Sequence, residues 1–191
     1  MTTRYPNVYV LNVLSDDRPG IIATVGDAVA RFEGNMDAVS QTVQSGYFTL
    51  IMIVSFPKPL DPGTLAAEVR GPEPLRSGLQ VMARPYDLPR CAPPMKTERF
   101  VLTALGNDKP GIIRRLSHYL SGKDINIVDL YWDRTGEQFV MVSQLDIPAR
   151  LEMSLLKADL DQMGDEDGFA IRLQHENVFV ATNQLRLTSV R

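Results

Sequence analysis

The chain reads as an α+β protein built from two copies of a β-α-β-β-α-β unit, each an antiparallel sheet carrying its helices on one face. Three observations lead there. Asp17-Arg18-Pro19-Gly20-Ile21-Ile22 returns as Asp108-Lys109-Pro110-Gly111-Ile112-Ile113, displaced by 91 positions. The same displacement lays 8–57 over 99–148 without a gap, matching Val10 with Val101, Leu11 with Leu102, Leu14 with Leu105, Asn35 with Asn126, Phe48 with Phe139 and Pro57 with Pro148. Finally, the 191 residues suit two domains of roughly 80–95 residues, and two copies are too few for a solenoid. The expected division is 1–84 for the first domain, 85–96 for a proline-rich linker, and 97–191 for the second domain with a C-terminal tail.

In the first copy, residues 8–14 (Val-Tyr-Val-Leu-Asn-Val-Leu) are rich in branched apolar side chains and predict a strand. Asp16, Asp17 and Pro19 then form a helix-start signal, an Asx cap with proline in the first turn. Ile21, Ile22, Val25, Ala28, Val29 and Phe32 recur at helical spacing as the inward face, and Gly34 is expected to stop the helix. A second strand over 35–43, a turn at Ser45-Gly46 and a third strand over Tyr47–Phe56 follow. Pro57, Pro59 and Pro62 rule out a longer strand and open a helix near Thr64–Arg70, interrupted by Gly71-Pro72-Glu73-Pro74. Leu79–Arg84 closes the copy as a strand.

The second copy repeats the order. A strand is expected at Arg99–Leu105, then a helix at Pro110–Ser121 burying Ile112, Ile113, Leu116, Tyr119 and Leu120. Strands at Ile125–Arg134 and Glu137–Asp146 join through Thr135-Gly136. A helix from about Pro148 to Met163 places Leu151, Leu155, Leu156, Leu160 and Met163 on one stripe. Asp165-Glu166-Asp167-Gly168 reads as a solvated loop before a last strand, Phe169–Gln174, and Val178–Val180 as an extra strand in the tail. Between the copies, Pro85 to Pro94 holds four prolines and predicts an extended, stiff spacer. Each sheet would bury one face under its helices and leave the other bare.

Composition narrows the function. Apolar content of 44% is ordinary for a globular protein, and no apolar run approaches the ~20 residues of a membrane span. The start, Met1-Thr2-Thr3-Arg4-Tyr5-Pro6, lacks a charged-then-apolar leader, and a lone Cys91 forms no intrachain disulfide, so a cytoplasmic protein is expected. A net charge of −3 argues against direct contact with nucleic acid, and no helix-turn-helix or basic arm is present. His118 and His175 lack further donors at ligand spacing, so no metal site is expected. The acidic run at 165–168 lacks EF-hand spacing, and Cys91 has no neighbouring base. RNA-binding RRM domains share the element order, but Tyr47–Phe56 and Glu137–Asp146 hold no Lys or Arg and no aromatic stacking phrase. Trp132, on the second strand of the second copy, reads as a packing or interface residue.

The strand followed by Asp-Arg-Pro-Gly-Ile or Asp-Lys-Pro-Gly-Ile, an amphipathic helix and then Asn35-Met36 or Asn126-Ile127 resembles the ACT domain. The tandem layout, with Glu176-Asn177-Val178-Phe179 after the final strand, is similar to the glycine cleavage system transcriptional repressor family. The resemblance covers nearly the whole chain. It implies a ferredoxin-like fold, a small amino-acid ligand held where modules abut, a regulatory role in amino-acid (glycine) metabolism, and no intrinsic catalysis or cofactor. The positions that match the family's helix-start loop are Asp17, Arg18, Pro19, Gly20 and Ile21, and Asp108, Lys109, Pro110, Gly111 and Ile112; those at the start of its second strand are Asn35, Met36, Asn126 and Ile127.

Physical chemistry supports such a site. A zwitterion needs N–H donors for its carboxylate and acceptors for its ammonium. A helix N-terminus offers free N–H groups and the positive end of the dipole. Gly20 and Gly111 let a ligand reach the backbone, while Asp17, Asp108, Asn35 and Asn126 are acceptors. Plainer readings stand beside these. The aspartates are also helix caps, the asparagines turn formers, and the glycines sites of close helix–strand packing. The expected partners are a small amino acid, another regulatory or metabolic protein, and a second copy of the chain through a bare sheet face or edge. The alternative is a separate regulatory subunit of an amino-acid metabolic enzyme, because no residues remain here for the catalytic domains that follow ACT modules elsewhere.

Overall fold

The computed structural model describes residues 2–71, 78–87 and 96–184. The chain divides into two compact units, one up to Arg90 and one from Cys91. The first contains β1 (Asn7–Asp16), α1 (Ile21–Arg31), β2 (Asn35–Gln44), β3 (Tyr47–Phe56), α2 (Pro62–Arg70) and β4 (Gln80–Pro85). The second contains β5 (Thr97–Asn107), α3 (Ile112–Gly122), β6 (Asn126–Thr135), β7 (Gln138–Pro148), α4 (Met153–Asp167), β8 (Phe169–His175) and α5 (Glu176–Gln184).

Each unit forms a four-stranded antiparallel sheet, ordered β2-β3-β1-β4 in the first and β6-β7-β5-β8 in the second. The 91-residue displacement survives in the register. Leu11 faces Met52 as Leu102 faces Ser143, and a β-bulge falls between Met36 and Ala38 as between Ile127 and Asp129. This is the ferredoxin-like α+β architecture expected of tandem ACT domains. The inward face of each sheet packs under its two helices. Leu11, Val25, Val54, Phe56, Leu65 and Val69 centre the first core, and Leu102, Leu120, Phe139, Met141, Leu145 and Leu160 the second.

The helix starts differ from the sequence expectation. No side chain caps α1 or α3; the residue before each helix is a left-handed glycine, Gly20 at φ 93° and Gly111 at φ 99°. Asp17 and Asp108 remain tied to the strand ends, where their N–H groups donate to the carbonyls of Gly46 (2.8 Å) and Glu137 (2.7 Å). The chain therefore turns on a backbone conformation glycine adopts freely, three residues after each aspartate. Pro110 likewise precedes α3 and is not part of it.

The helix ends also differ. Gly34 does not reverse the chain: Glu33 takes the left-handed conformation (φ 56°), as Asp124 does in the second unit (φ 58°). Both ends close as Schellman motifs. Glu33 and Gly34 N–H groups donate to Ala30 and Val29 carbonyls, and Asp124 and Ile125 donate to Ser121 and Leu120. Gly34 is small because a Cβ there would stand 2.3 Å from the Phe56 ring. The second unit solves the same contact with Ile125 and Ile147, both buried.

Further corrections concern lengths and directions. Ile22 and Ile113, read as inward, are 41% exposed, and Leu155 is 61% exposed. Pro148 ends β7, so α4 begins later, at Met153, and runs through Asp165-Glu166-Asp167 to a left-handed Gly168. The tail continues as α5, not as a strand. α5 lies at the outer face of the second sheet, where Phe179 and Thr182 border a cavity with Thr103, Leu105 and Arg172, so that face is not wholly bare. The β6–β7 loop is Gly136-Glu137, one residue later than expected, with Gly136 at φ 63°. Of the expected linker, Pro85 belongs to β4 and Tyr86 N–H still donates to Val8 (2.8 Å). Positions 88–95, with Cys91, lie outside the described residues, as do 72–77 and the tail beyond 184. Among the described residues, no helix is long and apolar enough to cross a membrane.

Candidate functional site

The two helix mouths are open. A Cβ built on Gly20 or Gly111 would meet nothing within 4 Å, which removes close packing as the reason for either glycine. What remains is the positive φ and free space above the first turn. No side chain caps either helix; in α3 the Ile112 N–H donates to the Lys109 carbonyl (3.5 Å), and the next N–H groups of each first turn have no intrahelical partner by geometry. They face that space as donors at the positive end of the helix dipole.

The predicted residues do not all converge. Asp16 pairs with Tyr47 at one end of the first sheet, whereas Asn35 pairs with Ser55 toward the other. From Tyr47 to Ser55 at ~3.4 Å per residue the two halves of the expected site are about 27 Å apart along the strand. The second unit repeats this: Asn107 pairs with Gln138, and Asn126 with Asp146. Asn35, moreover, is engaged locally, its amide donating to Asp37 Oδ1 at 2.8 Å beside the bulge. Met36 reaches back over α1, its Cε 3.9 Å from the space above Gly26. Asn126 is exposed and Ile127 packs against the second core.

The second mouth has a built surround. On one side a cleft of about 330 Å³ is lined by Asp108, Pro110, Gly111, Ile112, Ile113 and Trp132. On the other a cleft of about 480 Å³ shares Lys109 and Arg114 with the first and adds Arg115, His118 and Asp167. Trp132 is half-buried and stacks flat on Phe139, centroids 4.3 Å apart and planes 7° apart, which fixes its plane. Two residues on, Arg134 Nη1 lies 3.4 Å from Asp108 Oδ2. Asp108 is thereby held at the mouth half-buried, whereas its counterpart Asp17 is exposed.

Charge is organised around the same loop. Asp165, Glu166 and Asp167 occupy the last turn of α4, where the helix dipole disfavours negative charge. Arg115 offsets this by pairing with Glu166 and with Asp167 (2.9 Å), tying the end of α4 to the start of α3. The hydrogen bond from Arg115 holds the Glu166 carboxyl below its usual range, and the same bond raises the guanidinium. The Lys109 ammonium stands 3.5 Å from the space above Gly168, at the negative end of α4. Arg115 is thus neutralised by its acids, leaving Lys109 and Arg114 as the positive charges of the larger cleft.

Ile113, Trp132 and Arg134 are the residues that sequence reading did not place in the site; Lys109 falls within the matched helix-start loop. The strand alternation that sets Trp132 and Arg134 on the helix side of β6 was available, but their meeting with the α3 mouth depends on the sheet order. The first copy carries Gln41 and Val43 at those strand positions, and Arg18, Thr24 and Asp27 where the second has Lys109, Arg115 and His118.

The ACT domain family model matches residues 98–174. A UPF0237 protein of Methanococcus maripaludis is 36% identical over 83 residues, which is 43% of this chain and 92% of that protein. One of Methanocaldococcus jannaschii is 32% identical over 82 residues, 42% of this chain and 91% of that protein. These relatives have the length of one unit. A solved protein of unknown function from Galdieria sulphuraria matches 88% of this chain and 98% of its own, with TM-score 0.72 and 24% identity. A solved candidate glycine cleavage system transcriptional repressor matches 88% and 96%, with TM-score 0.61 and 18% identity. At those identities the two structures establish a shared two-unit fold and nothing finer. The chain belongs to the ACT-domain family, in the company of the UPF0237 proteins.

Proposed function

We propose that this protein is a non-catalytic regulator that binds a small amino acid at an ACT helix mouth and passes the signal to a partner protein in the cytoplasm. The observation that carries this reading is the α3 mouth, where a first turn without a side-chain cap, Lys109 and the Asp108 carboxylate line one open cleft. Donors and acceptor of that kind match the two charged ends of a zwitterion. The second-strand residues, about 27 Å away within a unit by ~3.4 Å per residue, would join such a site only from a neighbouring module. The family's regulatory character supports control of another protein, and the likeness to a candidate repressor supports a link to amino-acid and glycine metabolism. The test is calorimetric and thermal-shift titration of the full chain with each of the twenty amino acids. Binding by one or a few supports sensing, and uniform silence at millimolar ligand rejects it.

A further inference from the structure

The walls of the α3 mouth are more informative than its charges. The smaller cleft, about 330 Å³, is lined on one side by Asp108, Lys109 and Arg114 and on the other by the indole of Trp132 and by Ile113, a large aliphatic side chain left 41% exposed on an otherwise amphipathic helix. An amino acid without a side chain would engage the charged side of this cleft and leave the Trp132 and Ile113 side in contact with water. Stacking on Phe139 keeps the indole from collapsing into the gap. The first unit supplies an internal control. It keeps the aspartate, the proline and the left-handed glycine but replaces the indole with Gln41 and the guanidinium with Val43.

We propose that the second unit is the ligand-binding copy and that its ligand is an α-amino acid with an apolar side chain, which presupposes that the α3 mouth is the amino-acid site. The side chain lies between Trp132 and Ile113. The carboxylate meets the α3 N–H groups and Lys109, and the ammonium meets Asp108, where it competes with Arg134. Ligands that differ in side-chain bulk are then distinguished by the apolar wall, for which each added methylene is worth about tenfold or more.

Trp132 is the single tryptophan of the chain, so its emission reports the wall directly. The experiment titrates the full chain with phenylalanine, leucine, serine and glycine, following emission and Tm together. It is repeated on Trp132→Gln, the side chain of the first unit, followed by Tm and calorimetry because no tryptophan remains, and on Ile113→Ser, whose exposed position carries little folding risk. The expected result is that leucine or phenylalanine binds at least about tenfold tighter than glycine, shifts the emission, and loses that preference in both variants. Equal or tighter binding of glycine or serine overturns the apolar ligand while leaving amino-acid sensing intact. Apolar binding that ignores Trp132 and both substitutions places the site elsewhere and overturns the assignment. Failure of every amino acid to bind removes the sensor reading and this proposal together.

Discussion

Gly34→Ala should destabilise the first unit, although the general expectation for glycine replacement is the opposite. At a position whose backbone tolerates alanine, the substitution stabilises by about 0.4–1 kcal/mol through the unfolded chain. Gly34 is not among the positive-φ glycines, so the backbone raises no objection. The neighbours do. A Cβ would stand 2.3 and 2.6 Å from two Phe56 ring carbons and 2.9 Å from Val29 Cγ1. Optimal carbon–carbon separation is ~3.5–4.0 Å, so each contact is short by most of an ångström or more. Phe56 cannot swing aside: it is fully buried, with Tyr9 and Phe32 packed edge-on at 5.7 and 6.2 Å. Overpacking of this kind costs about 1–3 kcal/mol, and the depth of the clash puts the net loss near the upper part of that range. The second unit shows the relief, since Ile125 and Ile147 fill the equivalent positions. Phe56→Ile alone should cost about 1–2 kcal/mol by leaving a void. In Gly34→Ala/Phe56→Ile the two losses should fail to add, with a coupling of about 1 kcal/mol or more. Urea unfolding followed by far-ultraviolet circular dichroism reports both units, while Trp132 emission reports the second alone and should not move. A neutral Gly34→Ala, or strictly additive losses, would refute the packing account.

The other predictions are briefer. Glu33→Gly should stabilise the first unit by about 0.5–1 kcal/mol, measured by the same unfolding, because Glu33 holds φ 56° at a site glycine occupies freely. Hydrogen bonds from Thr64 to Asp61, from Tyr119 to Asp159 and from Arg115 to Glu166 hold those carboxyls below their ordinary values. Their stabilisation is complete above the unfolded-state value of ~4 and disappears as pH falls through the lower folded values, so Tm should drop below about pH 4. Arg115→Met should flatten part of that acid dependence; an unchanged profile would show that the Glu166 pair contributes nothing. Light scattering at tens of micromolar should give a dimer mass, since an outer sheet face carrying exposed Leu14, Ile51 and Met82 favours self-association, and a monomer mass would contradict it.

Some of the site was legible before the fold. The Asp-Lys-Pro-Gly phrase marks the α3 mouth because proline and glycine restrict or free the backbone locally, whatever surrounds them. Trp132 was legible only as a packing residue, since a strand residue's neighbour across a helix mouth is set by sheet order. The separation of Asn126 from Asp108 was hidden for the same reason. A helix of eleven residues carries the chain back along the sheet, and sequence proximity to its end says nothing of distance from its start.

The sequence alone determined that there are two units, their element order and their shared register, because a duplicated run of alternating and helical apolar spacing has one consistent way to fold. It also located both hairpin turns to within a residue, since positive φ is a local demand. The tertiary structure decided that Trp132 and Arg134 meet the α3 mouth, why Gly34 is small, and that residues 176–184 form a helix. Those outcomes depend on what stands opposite in space, and Phe56, Phe139 and Arg115 reach their partners only after the sheets have assembled.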